Sequence, residues 1–415
     1  MKKPRITLLP DFPNWAFDYI AQSIAARLKH RFDFRIEYAA RHPAIRGSET
    51  DLIYVFFWGY KIPSGSKIKK EQVIKDIASF GWKHYNKDKL VKSKQAFVEE
   101  YLQDCICATT PSAELFREVA PDFDNVVHCP NGVEFDYFAS CHRKIDRNQL
   151  LTIGWVGNPE DEFKVKGLHD ILIPAAEGFR FEYTSGNMSR AELREFYSRI
   201  DVLAIASSSE TQPLPLLESM SAGCFPVTTN VGIVPEVIRS GQNGLVVERS
   251  VDAFRDAFQY CSINLSQLRS GRLSQKFCAS SQSWDFLADR FGSLFDAVLN
   301  SKTDRFEMPS SLKSTIIRMP KIAPFDLNRS PKHNLVFAKM AAAKINFGDG
   351  FRRCMLGNRY GQSKFTPYYD RLLNFFGYWT AIWNRFCGIC GDAGFMQAIA
   401  ISVKSYLRQA RKGKA

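Results

Sequence analysis

Ser209-Glu210-Thr211-Gln212-Pro213-Leu214-Pro215-Leu216-Leu217-Glu218 is the most informative stretch of the 415-residue chain. It follows Val202–Ile205, a short apolar run that reads as a buried strand, and it leads into an apolar helix over Leu216–Ala222. Glu210 is thereby placed in the loop at a strand's carboxyl end, where open α/β sheets bind ligands. Pro215 suits the first helical position, because it has no amide to leave unpaired and its φ is already helical. Leu216 and Leu217 would then present free amides, and the helix start would attract an anion such as a diphosphate. Glu218 lies three residues further, roughly 4.5 Å along the axis, within reach of a group flanking that anion. On spacing alone two readings stand. Either the two carboxylates bind hydroxyls of a sugar-like ligand, or Glu218 only complements the helix dipole and Glu210 is solvated.

Outward from this stretch, strands at Leu150–Val156, Phe179–Thr184, Phe225–Thr229 and Leu245–Val247 alternate with helices. The helices are expected at Leu168–Ala176, Arg190–Arg199, Pro235–Ser240, Val251–Cys261 and Trp284–Leu299. Ser189-Arg190-Ala191-Glu192 has capping-box spacing and should start the helix that runs to Arg199. The first 140 residues alternate in the same way. Strands are predicted at Arg5–Leu9, Asp51–Trp58, Asp104–Ala108 and Asn125–His128. Helices are predicted at Asp18–Leu28, Lys67–Phe80 and Lys94–Leu102, with another opened by Thr110-Pro111-Ser112. Two successive βα blocks imply an α/β protein with two doubly wound, Rossmann-like parallel sheets facing a cleft. The expected domains are 1–140, 141–300, and a linker with a basic, aromatic appendage over 301–415.

Several further stretches accompany the Glu210–Glu218 spacing. They are Ser219-Met220-Ser221-Ala222-Gly223-Cys224-Phe225-Pro226-Val227, Val234-Pro235-Glu236-Val237-Ile238 and Gly241-Gln242-Asn243-Gly244-Leu245-Val246. Upstream stand Gly154-Trp155-Val156-Gly157 with Lys166-Gly167, and Pro130-Asn131-Gly132-Val133. As a set they resemble the retaining glycosyltransferases of family 4, densely from about 125 to 300, weakly before that, and not in the tail. The resemblance implies a GT-B fold, with an N-terminal acceptor domain and a C-terminal nucleotide-sugar domain. It implies transfer of a sugar from a nucleotide-diphosphate donor to an acceptor hydroxyl with retained configuration, in surface glycan assembly, without a cofactor or metal. The acceptor would be a glycan or a lipid-linked sugar. Carried over, Glu210 would hold donor-sugar hydroxyls, Glu218 the ribose hydroxyls, and Lys166 the leaving diphosphate. Gly157, Asn158, Lys164, Gln212, Leu214 and Leu216 would complete the donor site. A GT-B epimerase or phosphorylase, and a non-catalytic nucleotide-sugar-binding module, are the rival readings.

The resemblance has departures. Asn158 stands where members often carry Arg, and Lys164 is the candidate to supply that charge. Pro215 lacks an amide where some members use one, and Pro10-Asp11-Phe12-Pro13-Asn14-Trp15 lacks the paired glycines common in that loop. His84, in Gly81-Trp82-Lys83-His84-Tyr85, is the acceptor-side candidate by region; otherwise it is a surface histidine.

Composition bounds the rest. With 45% hydrophobic and 24% charged residues the chain is neither disordered nor collagen-like. The 10 cysteines scatter through apolar runs and read as reduced, buried thiols, with Cys387-Gly388-Ile389-Cys390 an isolated pair lacking a metal partner. The net charge of +13 is concentrated: from Ser301 onward there are 20 Lys and Arg against 6 Asp and Glu. Leu372–Trp383 is aromatic and too short to span a bilayer, and Lys404–Lys414 is basic. The tail either rests on an anionic leaflet or packs its aromatics and solvates its charges. No nucleic-acid module accompanies the charge, so nucleic acid is not expected as a partner. The amino terminus lacks a signal-peptide core and no run reaches ~18 apolar residues, so a cytoplasmic location is expected, with peripheral attachment to the inner membrane face if the tail binds lipid.

Overall fold

A computed structural model of the chain describes residues 2–80, 93–140, 150–160, 165–186, 188–241, 243–269, 281–301 and 308–313. Two all-parallel sheets organise them. The first runs β1 (Arg5–Leu9), β2 (Asp33–Ile36), β3 (Leu52–Val55), β4 (Val73–Asp76), β5 (Cys107–Thr110) and β6 (Val126–His128), in the spatial order β2-β1-β3-β4-β5-β6. The second is formed by β7 (Thr152–Trp155), β8 (Arg180–Tyr183), β9 (Val202–Ile205), β10 (Phe225–Thr228) and β11 (Leu245–Val246), ordered β11-β10-β9-β7-β8. Each order reverses beside its first strand, at β1/β3 and at β7/β9. Such a reversal leaves a crevice at the strands' carboxyl ends.

The helices between strands are α1 (Ala16–Leu28), α2 (Lys94–Tyr101), α3 (Ala113–Val119), α4 (Phe135–Ala139), α5 (Arg190–Arg199), α6 (Leu214–Ser221) and α7 (Val234–Val237), with α8 (Val251–Ile263) and α9 (Trp284–Leu299) after the last strand. The capping box expected at Ser189 starts α5: the Ser189 hydroxyl accepts from the Glu192 amide at 3.3 Å, and the Glu192 carboxylate accepts from the Ser189 amide at 2.8 Å. The helix expected over Leu168–Ala176 begins as a π-helical turn, Leu168–Leu172, and becomes α only over Ile173–Ala175.

One expected element is replaced. The stretch Lys67–Phe80, read as a basic helix, contains instead the central strand β4. Its charges misled the reading because both are buried and individually matched. Lys75 donates from Nζ to the Tyr101 carbonyl at 2.8 Å and pairs with Asp104 at 2.6 Å. Asp76 accepts from the Thr109 hydroxyl at 2.7 Å, and Thr109 shares a hydrogen bond with the Tyr54 hydroxyl. Strand β2, with alternating burial at the sheet edge, was not foreseen.

Helix α9 lies in the stretch expected to belong with the second sheet, yet it buries its apolar stripe on the first. Trp284, Ala288, Phe291, Leu294, Phe295 and Val298 recur at helical spacing and join one core with Leu8, Phe32 and Tyr54. Phe295 meets the Phe32 and Tyr54 rings edge-on, each at 5.8 Å. Each such fully buried ring contributes about 1.5–3 kcal/mol relative to exposure. Gly132 is required at this crossing, since a Cβ there would lie 2.6 Å from the Trp284 backbone. Past the expected boundary at 300, Met308 and Leu312 are buried in the same core, and Arg290 donates to the Ser311 and Leu312 carbonyls. The first turn of the appendage is thus part of the first domain. The aromatic run, the basic end and the Cys387/Cys390 pair lie outside the described residues. Among the described residues five cysteines are free and buried, Cys105, Cys107, Cys129, Cys224 and Cys261; burial pushes the Cys105 and Cys129 thiols up to about 12. No helix among the described residues is long and apolar enough to cross a membrane.

Burial raises the Asp76 carboxyl from 3.8 to about 7. A carboxyl whose folded value is raised adds stability fully below the unfolded value, and that contribution is lost as pH climbs toward the folded one. Asp76→Asn should therefore gain on the wild type as pH rises from 4 to 7, by on the order of 4 kcal/mol at the upper end. Paired urea titrations across that range check it; a constant difference between the two proteins would contradict the assignment.

Candidate functional site

Ala206 and Ser207 continue from the buried strand β9 and bring the chain to Glu210. The Lys166 loop is folded onto the same strand end. Gly167 adopts φ +67°, a conformation that favours glycine, and a Cβ there would stand 2.7 Å from the Ala206 carbonyl. The Ser208 amide donates to the Val165 carbonyl at 2.8 Å, which ties the two loops together. Lys166 and Glu210, distant in sequence, consequently meet: Nζ donates to Oε1 at 3.2 Å, and the Ser207 hydroxyl donates to the same oxygen at 3.0 Å. The Lys166 side chain is 37% exposed and that of Glu210 19%, so both remain reachable.

These groups line a cavity of about 200 Å³ at the β7/β9 reversal, walled by Trp155, Val156, Ile205 and Pro213–Pro215. Ala16, at the start of α1, also lines it, so the reversal point of the first sheet faces that of the second. A larger open depression of about 550 Å³, with Lys2, Lys3 and Lys29 on its wall, lies at the amino ends of β1 and β2. That is the wrong end of a parallel sheet for a crevice site, and the smaller cavity is the candidate site.

The remaining expected donor residues divide. Gly157 follows β7, and its amide and carbonyl are both bridged by the Thr184 hydroxyl at 3.1 Å. A Cβ on Gly157 would lie 3.1 Å from the Lys166 side chain, so the glycine leaves room for the lysine. Asn158 turns its side-chain oxygen to the Glu160 amide. Leu214 lies on the cavity wall. Glu218 sits beyond the cavity on α6, where Tyr197 donates its hydroxyl to Oε2 at 2.9 Å; burial raises this carboxyl above its ordinary range. His84 and Lys164 lie outside the described residues.

Two details differ from expectation. Helix α6 begins at Leu214, with Pro215 in its second position. The Leu216 amide is not free: it donates to the Pro213 carbonyl at 3.0 Å, because the proline-rich entry already turns one residue earlier than expected. Gln212 reaches the cavity wall, but its amide is taken up by the first domain. It accepts from the Asn131 amide at 2.8 Å and donates to the Asn131 carbonyl at 2.6 Å. Ser207, Thr184 and Tyr197 were missed. Ser207 is the polar residue just past the buried strand β9, a positional signal that could have found it; Thr184 follows the partly exposed edge strand β8 and Tyr197 is marked only by packing. Among the described residues no three His, Cys, Asp or Glu side chains converge as a metal set would require.

Two parallel-sheet α/β domains meeting at their reversal points constitute the GT-B fold. Solved structures share it at low identity. A glycosyltransferase from Rickettsia africae superposes with a TM-score of 0.54 and 12% identity, over 72% of this chain and all of that one. Sucrose-phosphate synthase from Thermosynechococcus elongatus gives 0.53 and 13%, over 71% and 98%. Anabaena HepE in complex with UDP gives 0.51 and 11%, over 71% and 100%. Residues 156–265 match the family described as glycosyl transferases group 1, so the second domain, from the end of β7 through α8, carries a glycosyltransferase group 1 domain. No curated protein matches the sequence.

Gly232 supports the Glu210 loop at φ +51°, and a Cβ there would lie 2.2 Å from the Thr211 carbonyl and 2.6 Å from that of Glu210. Gly232→Ala should cost about 1–2 kcal/mol from backbone conformation alone, with further loss from the overlap. Thermal unfolding that matches the wild type would show that this loop is not held as described.

Proposed function

We propose that the chain is a retaining glycosyltransferase that moves a sugar from a nucleotide-diphosphate donor to an acceptor hydroxyl in surface glycan assembly. The observation that carries the reading is the Lys166–Glu210 pair in a cavity at the β7/β9 reversal. In the free protein the two groups neutralise each other. An incoming diphosphate takes Lys166 as its counter-charge, and the released Glu210 carboxylate accepts hydrogen bonds from donor-sugar hydroxyls. The bond between the anomeric carbon and the phosphate oxygen then breaks, its electron pair leaving with the nucleoside diphosphate. Lys166 stabilises the charge that develops there. The acceptor oxygen bonds to the anomeric carbon on the face the phosphate leaves, and its proton passes to the departing phosphate. Glu218, partly buried beside Tyr197, receives the ribose hydroxyls.

The HepE structure was solved with UDP, which supports a nucleotide donor for this chain as well. The acceptor approaches across the first sheet, where Phe12, Trp15 and Phe57 stand exposed on the loops after β1 and β3. The basic excess beyond residue 300 supports contact with an anionic membrane surface, where a lipid-linked acceptor would be concentrated.

A panel of nucleoside diphosphates tests the reading. The matching one at 100 times its Kd should add about 2.7 kcal/mol of stability, and Lys166→Ala should abolish the gain. With the donor so identified, Glu210→Gln should lower the transfer rate by roughly 10²-fold or more at unchanged melting temperature. Unaltered turnover in a well-folded Glu210→Gln protein would exclude the assignment.

A further inference from the structure

The Glu210 loop is held by the first domain as much as by its own. Next to it, two carboxylates cross between the domains in opposite directions. Glu114, on α3 of the first domain, accepts from the Gly232 amide of the second at 2.8 Å. Glu236, on α7 of the second domain, accepts from the Ala113 amide at the start of α3 at 2.7 Å. Its other carboxylate oxygen lies 3.3 Å from Nε2 of the buried His128 at the end of β6. The two bonds join the same pair of segments, 113–114 and 232–236, as a reciprocal clasp.

The clasp reaches the candidate site through one glycine. The backbone of Gly232 packs on the Glu210 and Thr211 carbonyls at a separation only glycine allows, and the next amide, of Ile233, donates to the Thr211 carbonyl at 2.9 Å. Thr211 is in turn anchored through its hydroxyl to the Ala78 carbonyl of the first domain, and Gln212 to Asn131. The loop that carries Glu210 is therefore gripped on one side by Lys166 and Ser207 of its own domain, and on the other by a relay that ends at Glu114.

We propose that Glu114 and Glu236 are positioning residues: their interdomain clasp sets the Glu210 loop, so that the site is assembled only when the two domains are engaged. Neither residue lines the cavity or touches a reacting atom. The catalytic consequence rests on the glycosyltransferase reading; the mechanical coupling does not. If the domains separate, Gly232 loses its partner in the first domain and the loop loses the Ala78 and Asn131 anchors together. Glu210 would then keep Lys166, Ser207 and the Thr211–Ile233 bond of its own domain, but its loop would lose every anchor to the first.

Hydrogen–deuterium exchange of the full-length protein, without any substrate, tests the coupling. In Glu114→Ala/Glu236→Ala the amides of 207–212 and 231–234 should exchange about tenfold faster, the factor that loss of a charge-assisted hydrogen bond supplies. Amides of β7 and β1 should be unchanged. Glu114→Gln/Glu236→Gln keeps both accepting oxygens and should exchange within about threefold of the wild type. Glu114→Ala alone should show the same pattern more weakly, which keeps the test available if the double variant fails to fold. Faster exchange at 231–234 with none at 207–212 would overturn the proposal, since the relay would stop at Gly232. Uniform acceleration through both sheets would overturn it too, by reducing the clasp to general stability. Because no nucleotide is present, a negative result here is distinct from failure to bind a donor.

Discussion

Both ends of the Gln212 amide are engaged by the backbone of Asn131, and the candidate site depends on that crossing. A buried primary amide with a matched donor and acceptor fixes distance and orientation at once, which one hydrogen bond would not do. It sets the entry of α6 against the end of the first domain, two residues after Glu210. Just ahead of α4, Glu134 is fastened to α1 of the same domain: it accepts from both terminal nitrogens of Arg27, at 2.9 and 2.8 Å, and from Ser23 at 2.7 Å. Arg190 of α5 lies over the rings of Tyr19, Tyr137 and Phe138 at 5.0–5.6 Å, a cationic bridge between α5 and both α1 and α4. With these in place the carboxyl ends of the two sheets face each other.

The architecture was legible where the signal is local. Val202–Ile205 is an uninterrupted apolar run and forms β9 at those bounds. Ser189 and Glu192 cap one another within a single turn, so spacing alone identified the helix start. Trp284–Leu299 showed its helix through period alone, but period says nothing about which sheet receives the stripe; that is decided by Phe32 and Tyr54, far back in the chain. Strand β4 was illegible for a related reason. A buried lysine and aspartate look like surface residues until Asp104, the Tyr101 carbonyl and Thr109 are brought beside them.

The candidate site divides in the same way. Glu210 is placed by its position after a strand, which the residues themselves indicate. Lys166 is not: its place depends on Gly167 folding against Ala206, and only the family resemblance pointed to it. Gln212 was expected at a ligand and is met by Asn131, a partner 81 residues away that no local pattern announces. The helix entry moved by one residue because Pro213 supplies a carbonyl for the Leu216 amide. The helix start is thereby shifted to Leu214, on the cavity wall itself.

The central claim is that the Lys166–Glu210 pair opens to receive a diphosphate. A crystal structure of the protein with its stabilising nucleoside diphosphate measures this directly. The account predicts the β-phosphate within hydrogen-bond distance of Lys166 Nζ, the 3.2 Å contact to Glu210 broken, and the ribose beside Glu218. A nucleotide bound elsewhere, or bound in the cavity with the Lys166–Glu210 pair intact, would contradict it.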